Sequence, residues 1–121
     1  MSLARSTLGL LLAALVMVGC SAVLPDCDAT QLNTIKSIAT ATPLANYLGI
    51  CKVLSSYEVY PFKTAPTGTE QDYICTHLFC RTGLKEFYKA PGLPQCYIKV
   101  DGESITPNAQ LQRICPDLMT K

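Results

Sequence analysis

The residues of this chain best placed to do chemistry are its cysteines and its one histidine. Apart from Cys20 near the N-terminus, cysteines stand at positions 27, 51, 75, 80, 96 and 115. The stretch from Thr67 to Cys80 reads as a short amphipathic helix carrying Cys75 and Cys80. Five helical residues turn the chain by about 500°, so the two sulfurs leave such a helix on different faces. They are poorly placed to bond each other, and each must reach another part of the chain. Cysteines spread over the whole chain in this way read as a disulfide framework. Six cysteines allow fifteen pairings, and spacing alone does not choose among them.

His77 is the only histidine. It lies in Asp72-Tyr-Ile-Cys-Thr-His-Leu-Phe-Cys80, superficially similar to the histidine helix of small secreted phospholipases. Such enzymes need the histidine to activate water and an adjacent aspartate to hold calcium. Here Leu78 follows His77, and no Gly-rich calcium loop precedes it. With no second histidine for a triad or a zinc site, catalysis is the remote alternative, and no metal site or cofactor is expected.

The compartment agrees with disulfides. Arg5 supplies a positive start, Leu8 to Val18 is apolar or small throughout, and Gly19-Cys20-Ser21-Ala22 offers small residues for cleavage. That is the pattern of a secretory signal peptide, residues 1–22. The apolar run is shorter than the roughly 20 residues a spanning helix needs. Cleavage after Ala22 removes Cys20 and leaves an even six cysteines, as full pairing in a secreted chain requires. The alternatives are an uncleaved anchor with a spare thiol, or a bacterial lipoprotein acylated on Cys20, against which Met17 speaks. The domain, residues 23–121, carries nine basic and nine acidic side chains and shows no face basic enough for nucleic acid.

The elements that position these residues are short. Leu32, Ile35, Ile38 and Ala39 form one apolar stripe of a first helix. Thr42-Pro43 is the expected start of a second, on which Leu44, Tyr47, Leu48 and Cys51 share a face. Residues 55–66 have two prolines and no helical period, yet hold Tyr57, Val59, Tyr60 and Phe62. Such a loop either closes a core or covers a ligand. Thr67 and Glu70 predict a capping box, and Tyr73, Ile74, His77 and Leu78 an inner stripe behind it. Gly83 is expected to interrupt, with Leu84, Phe87 and Tyr88 on a further short helix. Asp101-Gly102 predicts a hairpin turn, and Thr106-Pro107 a last helix ending near Cys115. The fold class is mostly α: a small disulfide-stapled domain of about five short helices, one β-hairpin and an apolar loop.

The mature pattern C-x23-C-x23-C-x4-C-x15-C-x18-C resembles that of the elicitins, small secreted proteins of oomycetes. The first four cysteines are spaced as in that family. The start at Cys27-Asp-Ala-Thr-Gln31, Tyr57 after Cys51, Pro66-Thr67, Cys80-Arg-Thr-Gly-Leu-Lys-Glu-Phe87 and Pro94-Gln95-Cys96 are also similar to family motifs. The segment after Cys96 is five residues shorter than usual. Gln71 stands where the family places a ligand-contacting tyrosine, with Tyr73 close by.

The resemblance implies the pairs Cys27–Cys96, Cys51–Cys80 and Cys75–Cys115. It also implies that these elements are arranged around a lipid cavity, in a secreted, extracellular, non-enzymatic carrier of one sterol or related lipid. Transient membrane contact and recognition by a plant cell-surface receptor, leading to defence and hypersensitive cell death, follow from the same resemblance. Tyr57, Val59, Phe62, Leu84 and Phe87 match family cavity positions, and the helical stripes add Tyr47, Leu48, Tyr73, Ile74 and Leu78 as lipid contacts. The alternative is an interaction or cell-wall protein with a filled core and no ligand.

Overall fold

The computed structural model describes residues 23–118; the expected signal peptide with Cys20, and residues 119–121, lie outside them. Five helices and one hairpin follow in order: α1 (Ala29–Ala39), α2 (Leu44–Ser55), α3 (Gly68–Thr76), α4 (Leu78–Tyr88), β1 (Ile98–Val100), β2 (Glu103–Ile105) and α5 (Pro107–Ile114).

Local chemistry explains most of the helix starts. Asp28 and Gln31 exchange side-chain and backbone hydrogen bonds as a capping box for α1. Thr67 and Glu70 do the same for α3. Thr106 caps α5, with Pro107 in its first turn. The start of α2 differs from expectation. Pro43, not Thr42, occupies the cap position, with no side-chain cap. The carbonyls of Ala41 and Pro43 accept from Ala45, Asn46 and Tyr47 instead, so the first N–H groups need no hydroxyl.

Two further expectations are corrected around the middle of the chain. The helix from Thr67 does not run through to Cys80. It stops at His77, whose extended backbone ends α3 and begins α4, and whose Nδ1 accepts from the Phe79 N–H at 3.2 Å. Cys75 and Cys80 thus belong to different helices. The break also dissolves the expected inner stripe: Ile74 is fully buried, whereas Tyr73 is 38% and Leu78 71% exposed. Gly83, in turn, does not interrupt but sits inside α4. It permits close approach: a Cβ there would stand 3.0 Å from Tyr47 Cβ and 3.3 Å from Leu48 Cδ2. The contact of α2 with α4 is the most extensive between helices.

Disulfides join Cys51 of α2 to Cys80 of α4, Cys75 of α3 to Cys115 after α5, and Cys27 to Cys96. They close stretches of 29, 40 and 69 residues. In the chain-entropy model each contributes about 3–4 kcal/mol. Beside Cys27–Cys96, the Cys27 N–H donates to the Tyr97 carbonyl and lays the N-terminal segment along the hairpin. The hairpin pairs Ile98 with Ile105 and Val100 with Glu103. Asp101 and Gly102 both have positive φ, 53° and 80°, as a two-residue turn of this type demands. The core gathers Ile35, Cys51, Val59, Ile74, Leu84, Phe87, Val100, Leu111 and Ile114 into one cluster.

Candidate functional site

The loop 56–66 decides where a ligand could go. Ser56 leaves α2 in the left-handed region, at φ 65°. Ser55 Oγ then accepts from the Tyr57 N–H, and Tyr57 Oη donates to the Thr64 carbonyl across the loop. Asp101 holds the far end: its backbone N–H donates to the Lys63 carbonyl, and its Oδ2 accepts from Ala65 N, each at 3.0 Å. The loop is thereby fastened to the hairpin turn.

Three aromatic rings connect this loop to the core. Phe62 stacks on Phe87 with ring centres 5.4 Å apart, and Tyr60 meets both edge-on, at 5.7 Å from Phe62 and 6.3 Å from Phe87. Phe87 is buried and Phe62 only half so. On their outer side lies an open cleft of about 330 Å³. Its walls are Leu32 and Ile35 of α1, Tyr60, Pro61 and Phe62 of the loop, and Ile98 and Lys99 of β1 with the preceding Tyr97, together with Asp26 and Cys27. A second cleft of about 190 Å³ is lined by Ala39, Ala45, Leu48, Val59 and again Tyr60. Tyr60 therefore borders both. Small-molecule pockets are usually about 300–1,000 Å³ and largely apolar, with few polar groups. The larger cleft is at the lower end of that range.

The ten side chains singled out from the sequence fall into separate groups. Phe62 lines the larger cleft, and Leu48 and Val59 the smaller. Tyr57, Ile74, Leu84 and Phe87 are packed in the core together with Val59. Tyr47, Tyr73 and Leu78 lie toward the outside: Tyr47 stacks on Phe79, Tyr73 on His77, and His77 tilts against Phe79. Exposed Ile50, Val53 and Leu54 extend the outer face of α2.

Several cleft residues carried no functional signal in the sequence. Leu32 and Ile35 were legible as the apolar stripe of α1, and Ile98 only as a neighbour of the Asp101-Gly102 turn, but nothing local places them opposite Phe62. The disulfide Cys27–Cys96 and the Asp26–Tyr97 bridge do so.

The sequence model of the family described as Elicitin matches residues 26–115, most of the chain and every disulfide in the fold. The chain belongs to the elicitin family. No curated protein and no solved structure matches it.

Gln71, at the family's tyrosine position, donates from Nε2 to the carbonyls of Arg113 (3.2 Å) and Ile114 (2.9 Å), closing the C-terminal end of α5. Burial pushes the Tyr57 phenol up to about 12, well above its ordinary value, with Gln110 partly opposing the rise. Tyr60 is also raised by burial. Among the described residues no helix is long and apolar enough to cross a membrane, and no cluster of ligating side chains could hold a metal. In this elicitin His77 is engaged as a helix cap and ring partner.

Proposed function

We propose that this elicitin is a secreted carrier that takes up one sterol or similar lipid, exchanges it with membranes, and is perceived by plants as an elicitor of defence and hypersensitive cell death. The observation that carries the lipid reading is the aromatic seam Tyr60–Phe62–Phe87. In it Tyr60 and Phe62 of the loop lie between an open cleft and the buried Phe87 of α4. A displacement of Tyr60 and Phe62 joins the two clefts and lays Phe87 and Leu84 open to a ligand. A lipid entering there gains about 25 cal/mol for each Å² of apolar surface withdrawn from water. Three disulfides keep α1, α2, α4 and the hairpin in place while the loop gives way. The exposed apolar residues of the α2 surface and the α3–α4 junction support membrane contact, since amphipathic aromatic side chains favour the boundary between water and lipid.

The test is displacement of a fluorescent sterol by the oxidised chain from residue 23. Saturable binding at one lipid per protein is the expected result. Absence of binding of sterol or fatty acid at micromolar protein sinks the carrier reading. Leaf infiltration with the same preparation tests recognition by the plant separately.

A second reading has an observation of its own. Val59, Ile74, Leu84 and Phe87 are all 2% exposed or less and packed on one another. An interaction or wall protein with a filled core would look the same, and the sterol assay separates the two.

A further inference from the structure

The outward half of α2 is apolar and exposed. Leu44, Cys51 and Ser55 face the core. With helical residues about 100° apart, the opposite arc of α2 runs through Gly49, Val53, Asn46, Ile50, Leu54 and Tyr47. Only Asn46 among them has a polar side chain of any reach besides the Tyr47 phenol. Val53 is 79% exposed, and Ile50 and Leu54 are exposed as well. Together with Asn46 and Gly49 these three line an open trough of about 600 Å³. A helix that is apolar all round is normally buried all round or set in lipid. The one charge on α2, Lys52, is already paired with Glu58 of the loop at 3.1 Å.

Both ends of this arc lead somewhere. Toward α4, Tyr47 stacks on Phe79 at 6.2 Å, Phe79 meets His77 at 5.9 Å, and His77 stacks on Tyr73 at 5.3 Å. Rings with an apolar body and a polar tip favour the boundary between water and lipid. Toward the loop, Gly49 lines both the trough and the smaller cleft that Tyr60 borders. The exposed face is thus continuous with a cleft of the candidate site. The chemistry of the arc also selects its occupant. A folded partner makes about one hydrogen bond per 100–200 Å² of interface, and this arc has almost none to give. Anionic lipids are drawn by clusters of Lys and Arg, and Lys52 stands alone and paired. A zwitterionic lipid surface asks for neither.

We propose that the outward face of α2 docks this protein on zwitterionic lipid surfaces, with Ile50, Val53 and Leu54 entering the headgroup boundary, and that a carried lipid passes between the bilayer and the smaller cleft beside Gly49. The hand-over rests on the carrier reading above; the docking does not. Attachment of this kind grows with the apolar area withdrawn from water. It is independent of salt, because no unpaired charge of α2 takes part, and three partly exposed side chains keep it reversible.

Flotation of the oxidised, ligand-free chain from residue 23 with phosphatidylcholine vesicles tests the docking. The wild-type protein should float with the vesicles equally at low and high salt. Val53→Glu should lower its partition coefficient about tenfold or more. Val23→Glu, on the N-terminal segment beside the hairpin, should leave it unchanged. Both side chains are mostly exposed, so neither change disturbs the core. Wild-type protein that stays unbound, or that floats only when phosphatidylserine is added, overturns the docking. So does Val53→Glu floating like the wild type. A wild-type dimer that binds no vesicles and that Val53→Glu dissociates, seen by sedimentation, overturns it too, because the face then seats a second copy. For the hand-over, Val53→Glu should bind a fluorescent sterol in solution as tightly as the wild type, yet deliver it to vesicles about tenfold more slowly. Unchanged delivery overturns the hand-over. If the wild type floats but binds no sterol, the carrier reading and the hand-over fall together and the docking stands.

Discussion

Gly83 of α4 lies directly against Tyr47 of α2, with only 3.0 Å between the Tyr47 Cβ and the place a side chain at position 83 would begin. The Cys51–Cys80 disulfide joins the same two helices, so α2 cannot withdraw to make room. Overpacking of this kind costs about 1–3 kcal/mol, against roughly 1 kcal/mol that alanine gains over glycine inside a helix. Gly83→Ala should therefore be destabilised by about 1 kcal/mol, and Gly83→Val by more. For a domain of this size the melting temperature falls about 4–8 °C per kcal/mol. Thermal unfolding followed by circular dichroism checks it; a stabilised Gly83→Ala would show that the helices can part.

Tyr57 predicts an alkaline weakness. Its phenol ionises near 10 in the unfolded chain and is pushed up to about 12 in the fold, chiefly by burial. The folded state holds its proton more tightly, so this contribution is complete below pH 10 and is lost as pH rises from 10 to 12. The loss amounts to at most about 2–3 kcal/mol. Urea midpoints measured between pH 9 and pH 12 should fall, and the fall should be much shallower in Tyr57→Phe. That variant should also lose about 1 kcal/mol at neutral pH, through the missing hydrogen bond to Thr64.

Cys51 and Cys80 are both fully buried, whereas Cys27 and Cys75 are partly exposed. Under limiting reductant with rapid alkylation, the Cys51–Cys80 bond should be the last to be labelled by mass spectrometry. Replacing this pair by alanine should cost about 3–4 kcal/mol and loosen the α2–α4 contact. Early labelling of Cys80 would mean that α4 opens before the outer bonds break.

Phe62 carries the cleft wall while its removal leaves the buried Phe87 in place. Phe62→Ala should weaken displacement of a fluorescent sterol about tenfold or more, from lost apolar contact of about 1.5–3 kcal/mol. Leu78→Ser, on the outer face, should leave affinity in solution unchanged. Equal effects of the two would place the ligand elsewhere.

Much of this architecture was readable residue by residue. Thr67 with Glu70, Thr106 with Pro107 and Asp101 with Gly102 act through atoms three residues apart or fewer, so their roles survive any tertiary context. The break at His77 was not readable, because the Thr67–Cys80 stretch has no proline or glycine beyond Gly68 to mark it. Gly83 was misread for the opposite reason. A glycine signals a helix end in isolation, and only the neighbouring α2 shows that it is there to be small.

The sequence by itself determined the cysteine spacing, the caps at Thr67 and Thr106, the hairpin turn and the family, all of which depend on local chemistry or spacing. The tertiary structure alone decided which of the apolar residues line open space and which fill the interior. Phe62 and Phe87 are equally apolar in the sequence, yet one borders a cleft and the other is sealed behind it. Burial is set by what packs opposite a side chain, and for Phe62 the facing Leu32 and Ile98 come from distant parts of the chain brought together by Cys27–Cys96.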